Sequence, residues 1–230
     1  MNARCWLLLA ALALNPIAAA SVPMFDVVYR VEVRGIYAGR ARQWVEQRDD
    51  GTWVFQAEAT PHRLARIFGA KRIHEESVME LDGGLLRTLS FHSTEGRHAR
   101  TRVLTSYDHK AGVATVERER VRELEVPADA LDRLGLQLAL IQDLSEGGPR
   151  EVYRVVMGAE LYEMRFERIR EEEVTVPAGI FPCVLYERTE DRPGRMTRLW
   201  IAPSLGFIPV RMVELRDGNV RSRLELERIN

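Results

Sequence analysis

The chain has 230 residues, with 33 Lys and Arg against 34 Asp and Glu and a formal net charge of −1 at pH 7. That balance argues against nucleic-acid binding, which normally calls for a basic excess to neutralise phosphates. Of the 2 cysteines only Cys183 lies beyond residue 20, so no intramolecular disulfide framework is available and a hydrophobic core must hold the fold.

The first twenty residues read as a secretory signal peptide. Arg4 gives a positive start, Cys5 to Leu14 form an apolar run, and Asn15-Pro16 break any helix that run begins. Ala18-Ala19-Ala20 supplies the small residues of a cleavage site before Ser21. The run is about half the ~20 residues a membrane helix needs. Cys5 stands at the start of this run and lacks the small-residue context of a lipid-anchor site. The expectation is a leader over residues 1–20 and one β-rich periplasmic domain over residues 21–230. No transmembrane segment is expected in the mature chain.

Beyond the leader the dominant period is two, the signature of strands with one face inward. Phe25 to Arg34 alternates cleanly, with Val27, Tyr29, Val31 and Val33 on one face. Gly35 marks a turn, Tyr37 to Gln47 is the next strand, and Asp49-Asp50-Gly51 is a hairpin signal. Trp53, Phe55, Ala57 and Ala59 line a third strand. Residues 61–70 interrupt the pattern: Leu64, Ile67 and Phe68 have helical spacing and predict a short turn of helix or a loop. Strands resume at Ile73 to Leu81, Leu85 to Ser93, Arg97 to Asp108 and Val113 to Val126, separated by glycine-bearing turns.

One segment predicts a true helix. Leu131, Leu134, Leu138 and Ile141 make an apolar stripe, Asp129 is placed to cap it, and Gly147-Gly148 stops it. Its expected task is to cover a face or an open end of the sheet. Seven further strands follow: Val152 to Met157, Leu161 to Arg170, Glu172 to Val176, Phe181 to Arg188, Met196 to Ala202, Phe207 to Arg216 and Val220 to Ile229. Connections this short cannot make parallel crossovers. The predicted fold is mainly β, a curved antiparallel sheet forming an open or closed barrel with one covering α-helix. A two-sheet sandwich is the alternative.

The chemistry-bearing residues do not assemble into a motif. His62, His74, His92, His98 and His109 form no metal-binding pair or cluster, so neither metal nor cofactor is expected. His92 and His98 flank a turn and are read as exposed. Nucleophile elbows and phosphate-binding glycine loops are absent from the sequence. His74-Glu75-Glu76 and Glu171-Glu172-Glu173 are acid-dense, but acids on a strand need no catalytic reading. Cys183 shares a face with Phe181 and Leu185 and reads as a small buried apolar residue.

The aromatic residues of the strands have two readings, core or pocket lining. The pocket reading names Trp44, Trp53, Phe55, Phe91, Phe166 and Trp200, with Leu64 and Phe68 as part of a lid.

Several local patterns resemble one family of exported bacterial proteins of unknown function, DUF3108. They are Gly35-Ile-Tyr-Ala-Gly39, Asp132-Arg-Leu-Gly-Leu-Gln-Leu138, Val176-Pro-Ala-Gly-Ile-Phe181, Leu199-Trp-Ile-Ala-Pro203 and Ile208-Pro-Val-Arg211. The resemblance implies a periplasmic, mostly β protein, and implies no activity, cofactor or catalytic residue. The motifs consist of turn and apolar residues rather than acids, bases and nucleophiles.

The functional expectation is a non-catalytic periplasmic protein that binds an apolar or lipid-like envelope ligand in a barrel-like cavity. The alternative is an envelope interaction protein with protein partners and no small ligand. An enzyme acting on polysaccharide is the remaining reading.

Overall fold

The computed structural model describes residues 22–96, 98–190 and 194–230. Residues 1–21, on which the expected leader falls, Arg97 and Asp191-Arg192-Pro193 lie outside them.

The chain begins in the middle of its own sheet. β1 (Asp26–Val33) pairs on one side with β2 (Ile36–Gln47) and on the other with the last strand, β14 (Asn219–Ile229), both antiparallel. From β2 a meander runs outward through β3 (Trp53–Pro61), β4 (Ile73–Asp82), β5 (Leu85–Glu95), β6 (Arg100–Asp108), β7 (Val113–Glu117) and β8 (Val121–Glu125). From β14 a second arm runs through β13 (Ile208–Arg216), β12 (Arg195–Ala202), β11 (Gly179–Glu190) and β10 (Glu160–Val176) to β9 (Tyr153–Met157). All 14 strands belong to one antiparallel sheet whose two edges, β8 and β9, are not paired with each other. A short helix, α1 (Arg63–Ile67), lies between β3 and β4, and the long helix α2 (Arg133–Glu146) joins the two edges.

The sheet is bent around α2. One apolar cluster unites side chains of both arms, including Phe55, Met79, Leu86, Tyr153, Met164, Leu199 and Ile201, with Leu134, Leu136, Leu138 and Leu140 of the helix. Nine residues of α2 are buried, six of them Leu or Ile. At roughly 1.5–3 kcal/mol per buried aliphatic side chain, their burial contributes on the order of 10 kcal/mol. That equals the whole net stability of a typical domain. A helix apolar on more than one stripe belongs in an interior, and here it fills the concave side of the sheet.

The seam between the two edges is stitched at one point. Leu131, in the connection from β8 to α2, bridges Val155 of β9 in parallel, with its N–H donating to the Arg154 carbonyl at 2.9 Å. Val156 N–H donates back to the Leu131 carbonyl at 2.8 Å. A second apolar cluster of Tyr107, Ala114, Val116, Val126, Ala130 and Val156 crosses the seam there.

Two strand assignments from sequence need correction. Residues 113–126 form two strands, because the chain reverses over Arg118–Arg120 without glycine, proline or asparagine. Conversely, Leu161 to Val176 is one strand, β10, carrying a bulge between Arg168 and Arg170 rather than a break.

The motif residues have structural tasks. Gly39 of β2 has φ +151°, and a Cβ there would lie 2.2 Å from the Thr60 carbonyl oxygen. The tip of the β10–β11 hairpin folds back over the sheet, Ala178 N–H donating to the Leu226 carbonyl at 3.0 Å. Val174, Val176 and Cys183 thereby join Tyr29, Val210 and Leu226 in a third apolar cluster. Burial pushes the Cys183 thiol up to about 11, so it is no thiolate at neutral pH.

Gly39→Ala is expected to destabilise the protein by about 3 kcal/mol or more, because the obstructing atom is backbone and cannot rotate away. Urea unfolding of the variant beside the parent protein checks this.

Candidate ligand cleft

The N-terminus of α2 is buried, and a buried helix start must find partners for its unpaired N–H groups. Asp132 supplies them. Its Oδ1 accepts from the N–H of Leu134 at 2.7 Å and of Gly135 at 3.1 Å. Its Oδ2 accepts from the hydroxyls of Ser77 on β4 and, at 3.0 Å, Thr88 on β5. Thr88 Oγ1 also accepts from the Asp132 N–H at 3.1 Å. One carboxylate therefore caps the helix and fastens it to two strands. Asp129, the cap expected from sequence, instead pairs with Arg154 at 3.2 Å. The helix cannot start there, because Leu131 is held extended against β9.

Gly135 is explained by the same knot. A Cβ on it would lie 2.7 Å from Thr88 Oγ1. Helix propensity favours Ala over Gly by about 1 kcal/mol, but Ala would displace a hydroxyl engaged twice by Asp132.

Burial raises the Asp132 carboxyl above its ordinary range, against the opposing pull of its four hydrogen bonds. Tyr107 is close enough to feel its charge, and burial with that charge raises the phenol well above its usual range. His109 stacks on Tyr107 at 5.9 Å between centroids and places Nε2 2.7 Å from the Thr88 carbonyl.

Above this knot the seam opens into a cleft of about 1180 Å³. Its walls come from β5 and β6, the β7–β8 turn, and the β9–β10 turn, with Asp132 and Arg133 at its base. Six arginines line it: Arg100, Arg102, Arg118, Arg120, Arg122 and Arg133. Arg133 pairs with Glu75, lies 5.8 Å over the Phe91 ring, and keeps 50% of its side chain open to the cleft. Arg102 pairs with Glu95 at 3.4 Å. Arg118 reaches across the seam, its Nη1 3.4 Å from the position a Cβ would take on Gly158. Among the described residues, Arg100, Arg118, Arg120 and Arg122 have no carboxylate within ion-pair distance. Phe91, Val103, Val116, Val156 and Met157 form an apolar wall.

The two acids at the base are committed to structure. Glu75 is held by Arg133 and by the Ser93 hydroxyl at 3.2 Å, and Asp132 by four donors. Glu95, Glu119 and Glu160 line the cleft as well, so its six arginines exceed its five acids by one, and the cationic side is the β6 and β7–β8 wall.

Of the eight residues named from sequence as pocket lining, Phe91 lines this cleft. Phe55 is fully buried in the core, with Trp53 and Phe166 packed against it. Trp44 lies 4.6 Å from the Arg42 guanidinium, and Trp200 donates its indole N–H to Glu172 at 2.5 Å. Leu64 and Phe68 stand exposed around α1 and do not line the cleft. The cleft arginines were absent from the sequence reading. Only the alternation Arg118-Glu119-Arg120-Val121-Arg122 hints at them, and nothing local brings Arg100 and Arg133 to their side.

The family comparison covers residues 28–225, which match the model of DUF3108, a protein family of unknown function. The chain belongs to that family. No curated protein matches it. Among solved structures it is similar to a β-barrel-like DUF1849 protein from Brucella abortus. That match has a TM-score of 0.56 at 9% identity, over 91% of this chain and 99% of that one. It is also similar to an exported protein with a YmcC-like fold from Bacteroides fragilis, with a TM-score of 0.40, 15% identity and coverage of 89% and 94%. A third match is MucB in complex with MucA(peri), with a TM-score of 0.36 and 14% identity, where 90% of this chain spans 49% of MucB. At these identities the Brucella likeness speaks for the fold alone.

The raised Asp132 carboxyl gives a pH signature. A carboxyl that holds its proton more tightly when folded stabilises below its unfolded value and loses that contribution as pH rises through the window above 3.8. Asp132→Asn cannot ionise, so the parent protein should lose stability relative to it between pH 3.5 and 7. Asp132→Ala, which orphans the helix N–H groups and two hydroxyls, should cost about 2–4 kcal/mol at either pH. Thermal melts of all three proteins at both pH values check the pair of expectations.

Proposed function

We propose that this is a non-catalytic binding protein of the bacterial cell envelope that takes a lipid-like anion, its charged head among the cleft arginines. The observation that carries the reading is the cluster of Arg100, Arg118, Arg120 and Arg122, which have no carboxylate within ion-pair distance among the described residues and stand beside an apolar wall. Guanidinium groups grip phosphate and carboxylate oxygens through paired, charge-assisted hydrogen bonds. Phe91, Val103 and Met157 offer an adjoining chain apolar contact, and about 1180 Å³ suits a headgroup with part of its tail. The long apolar interior is occupied by α2, which leaves the cleft as the place for a ligand rather than the barrel core. The leader read in residues 1–20 supports export to the periplasm. No helix among the described residues is long and apolar enough to cross a membrane.

A second reading has an observation of its own. β8 is terminal in the sheet and mostly exposed, so its free side could pair with a strand of an envelope protein.

The test is native mass spectrometry of protein purified from the periplasm, with calorimetric titration of dihexanoyl-phosphatidylglycerol. The parent protein should carry or bind an anionic lipid. Arg118→Ala/Arg120→Ala/Arg122→Ala should weaken binding by roughly tenfold or more. A ligand-free parent protein that ignores the titrant would overturn the proposal. A crosslinked protein partner found at β8 in its place would establish the second reading.

A further inference from the structure

Exposed apolar side chains are normal when scattered and informative when gathered. Here they gather. Strand register places the β1–β2 turn, the β13–β14 turn and α1 at one end of the sheet: Val33 pairs with both Ile36 and Ser222, and Gly39 pairs with Pro61 immediately before α1. Among the described residues, twelve large hydrophobic side chains are exposed, and six of them stand at this end: Val33, Ile36, Leu64, Ile67, Phe68 and Val220. Phe68, 89% exposed, and Ile67, 76%, are the most exposed of the twelve, and Leu64 beside them is 62% exposed.

The α1 tip is a built element, not a stray loop. His62 N–H donates to the Ala38 carbonyl at 2.7 Å, Gly69 N–H to the Arg66 carbonyl at 3.0 Å, and Gly96 N–H to the Arg72 carbonyl at 2.8 Å. His62 also packs against Tyr37, 5.2 Å between ring centroids. Yet α1 buries none of its residues. A firmly held backbone that displays gathered apolar side chains is the arrangement of an interaction site.

Charge decides the partner. Residues 62–72 contain Arg63, Arg66, Lys71 and Arg72 and no acidic residue. Lys71 reaches Glu95 at 3.1 Å and Arg72 reaches Glu58 at 3.3 Å, while Arg63 has no carboxylate partner among the described residues. An exposed apolar tip with four cations within residues 62–72 complements an anionic lipid surface, where apolar side chains enter the acyl boundary and cations meet headgroups. We propose that the α1 tip docks this protein onto an anionic lipid surface, with Leu64, Ile67 and Phe68 entering the interface and Arg63, Arg66, Lys71 and Arg72 against the headgroups. None of these seven residues lines the cleft, although Lys71 reaches Glu95 of its wall, and the proposal does not depend on what the cleft binds.

Co-sedimentation with vesicles of phosphatidylcholine containing phosphatidylglycerol tests this, with phosphatidylcholine vesicles as the neutral comparison. The parent protein should sediment with the anionic vesicles, more weakly with the neutral ones, and less as salt rises. Leu64→Ser/Ile67→Ser/Phe68→Ser should lower partitioning by about tenfold or more while retaining the cleft ligand. Phe68→Ser alone, at the most exposed position, should give a severalfold loss and guards against misfolding of the triple variant. A parent protein that stays in solution with anionic vesicles overturns the proposal, as does a folded triple variant that binds like the parent. Self-association that the triple variant abolishes, without vesicle binding, assigns the tip to a second copy of the chain and overturns it equally.

Discussion

The burial of one helix inside a bent sheet is the constraint on which the rest of this structure depends. An open sheet of this length has an apolar face that must be hidden. α2 hides it by bringing six large aliphatic side chains into the concave side. The same solution creates a problem, because a helix inserted there carries unpaired N–H groups into the interior. Asp132 resolves it by capping the helix and accepting from Ser77 and Thr88. The cost of burying that carboxyl appears as its raised proton affinity.

The cleft follows from the same geometry. α2 connects the two sheet edges, and its incoming chain stitches them at Leu131 and Val155. Beyond that stitch nothing pairs β8 with β9, so the seam gapes at the helix start. The strands and turns around the gap bring arginines from three separate stretches of chain to one opening. Shape and charge of the site are thus consequences of an incomplete barrel.

Much of the fold was legible in sequence because period two survives in strands with one face inward. The antiparallel pairing of consecutive strands could also be anticipated from the short turns, but the pairing of β1 with β14, which puts the first strand in mid-sheet, could not. The errors have identifiable causes. The β7–β8 reversal uses Arg118-Glu119-Arg120, residues without turn chemistry, and so was read as continuous strand. The bulge near Ile169 shifts the alternation and imitates a break in β10. Asp129 and Asp132 are equally good caps in sequence, and only the tertiary bridge of Leu131 to Val155 decides between them. The cleft was illegible for a deeper reason. Arg100 and Arg133 become neighbours of Arg118 only when the sheet curls, and no local periodicity encodes that meeting. Of the aromatic residues that could be either core or pocket lining, Phe55 was drawn into the core by α2, and Phe91 remained at the opening.

The central claim is that α2 and the strands around it form one cooperative unit fastened at Asp132. Native-state hydrogen exchange measures this directly. The account predicts that amides of Leu138, Ala139, Leu140 and Ile141 open with the same free energy as the central amides of β4 and β5. Exchange of those helix amides orders of magnitude faster, while the strands stay protected, would contradict it.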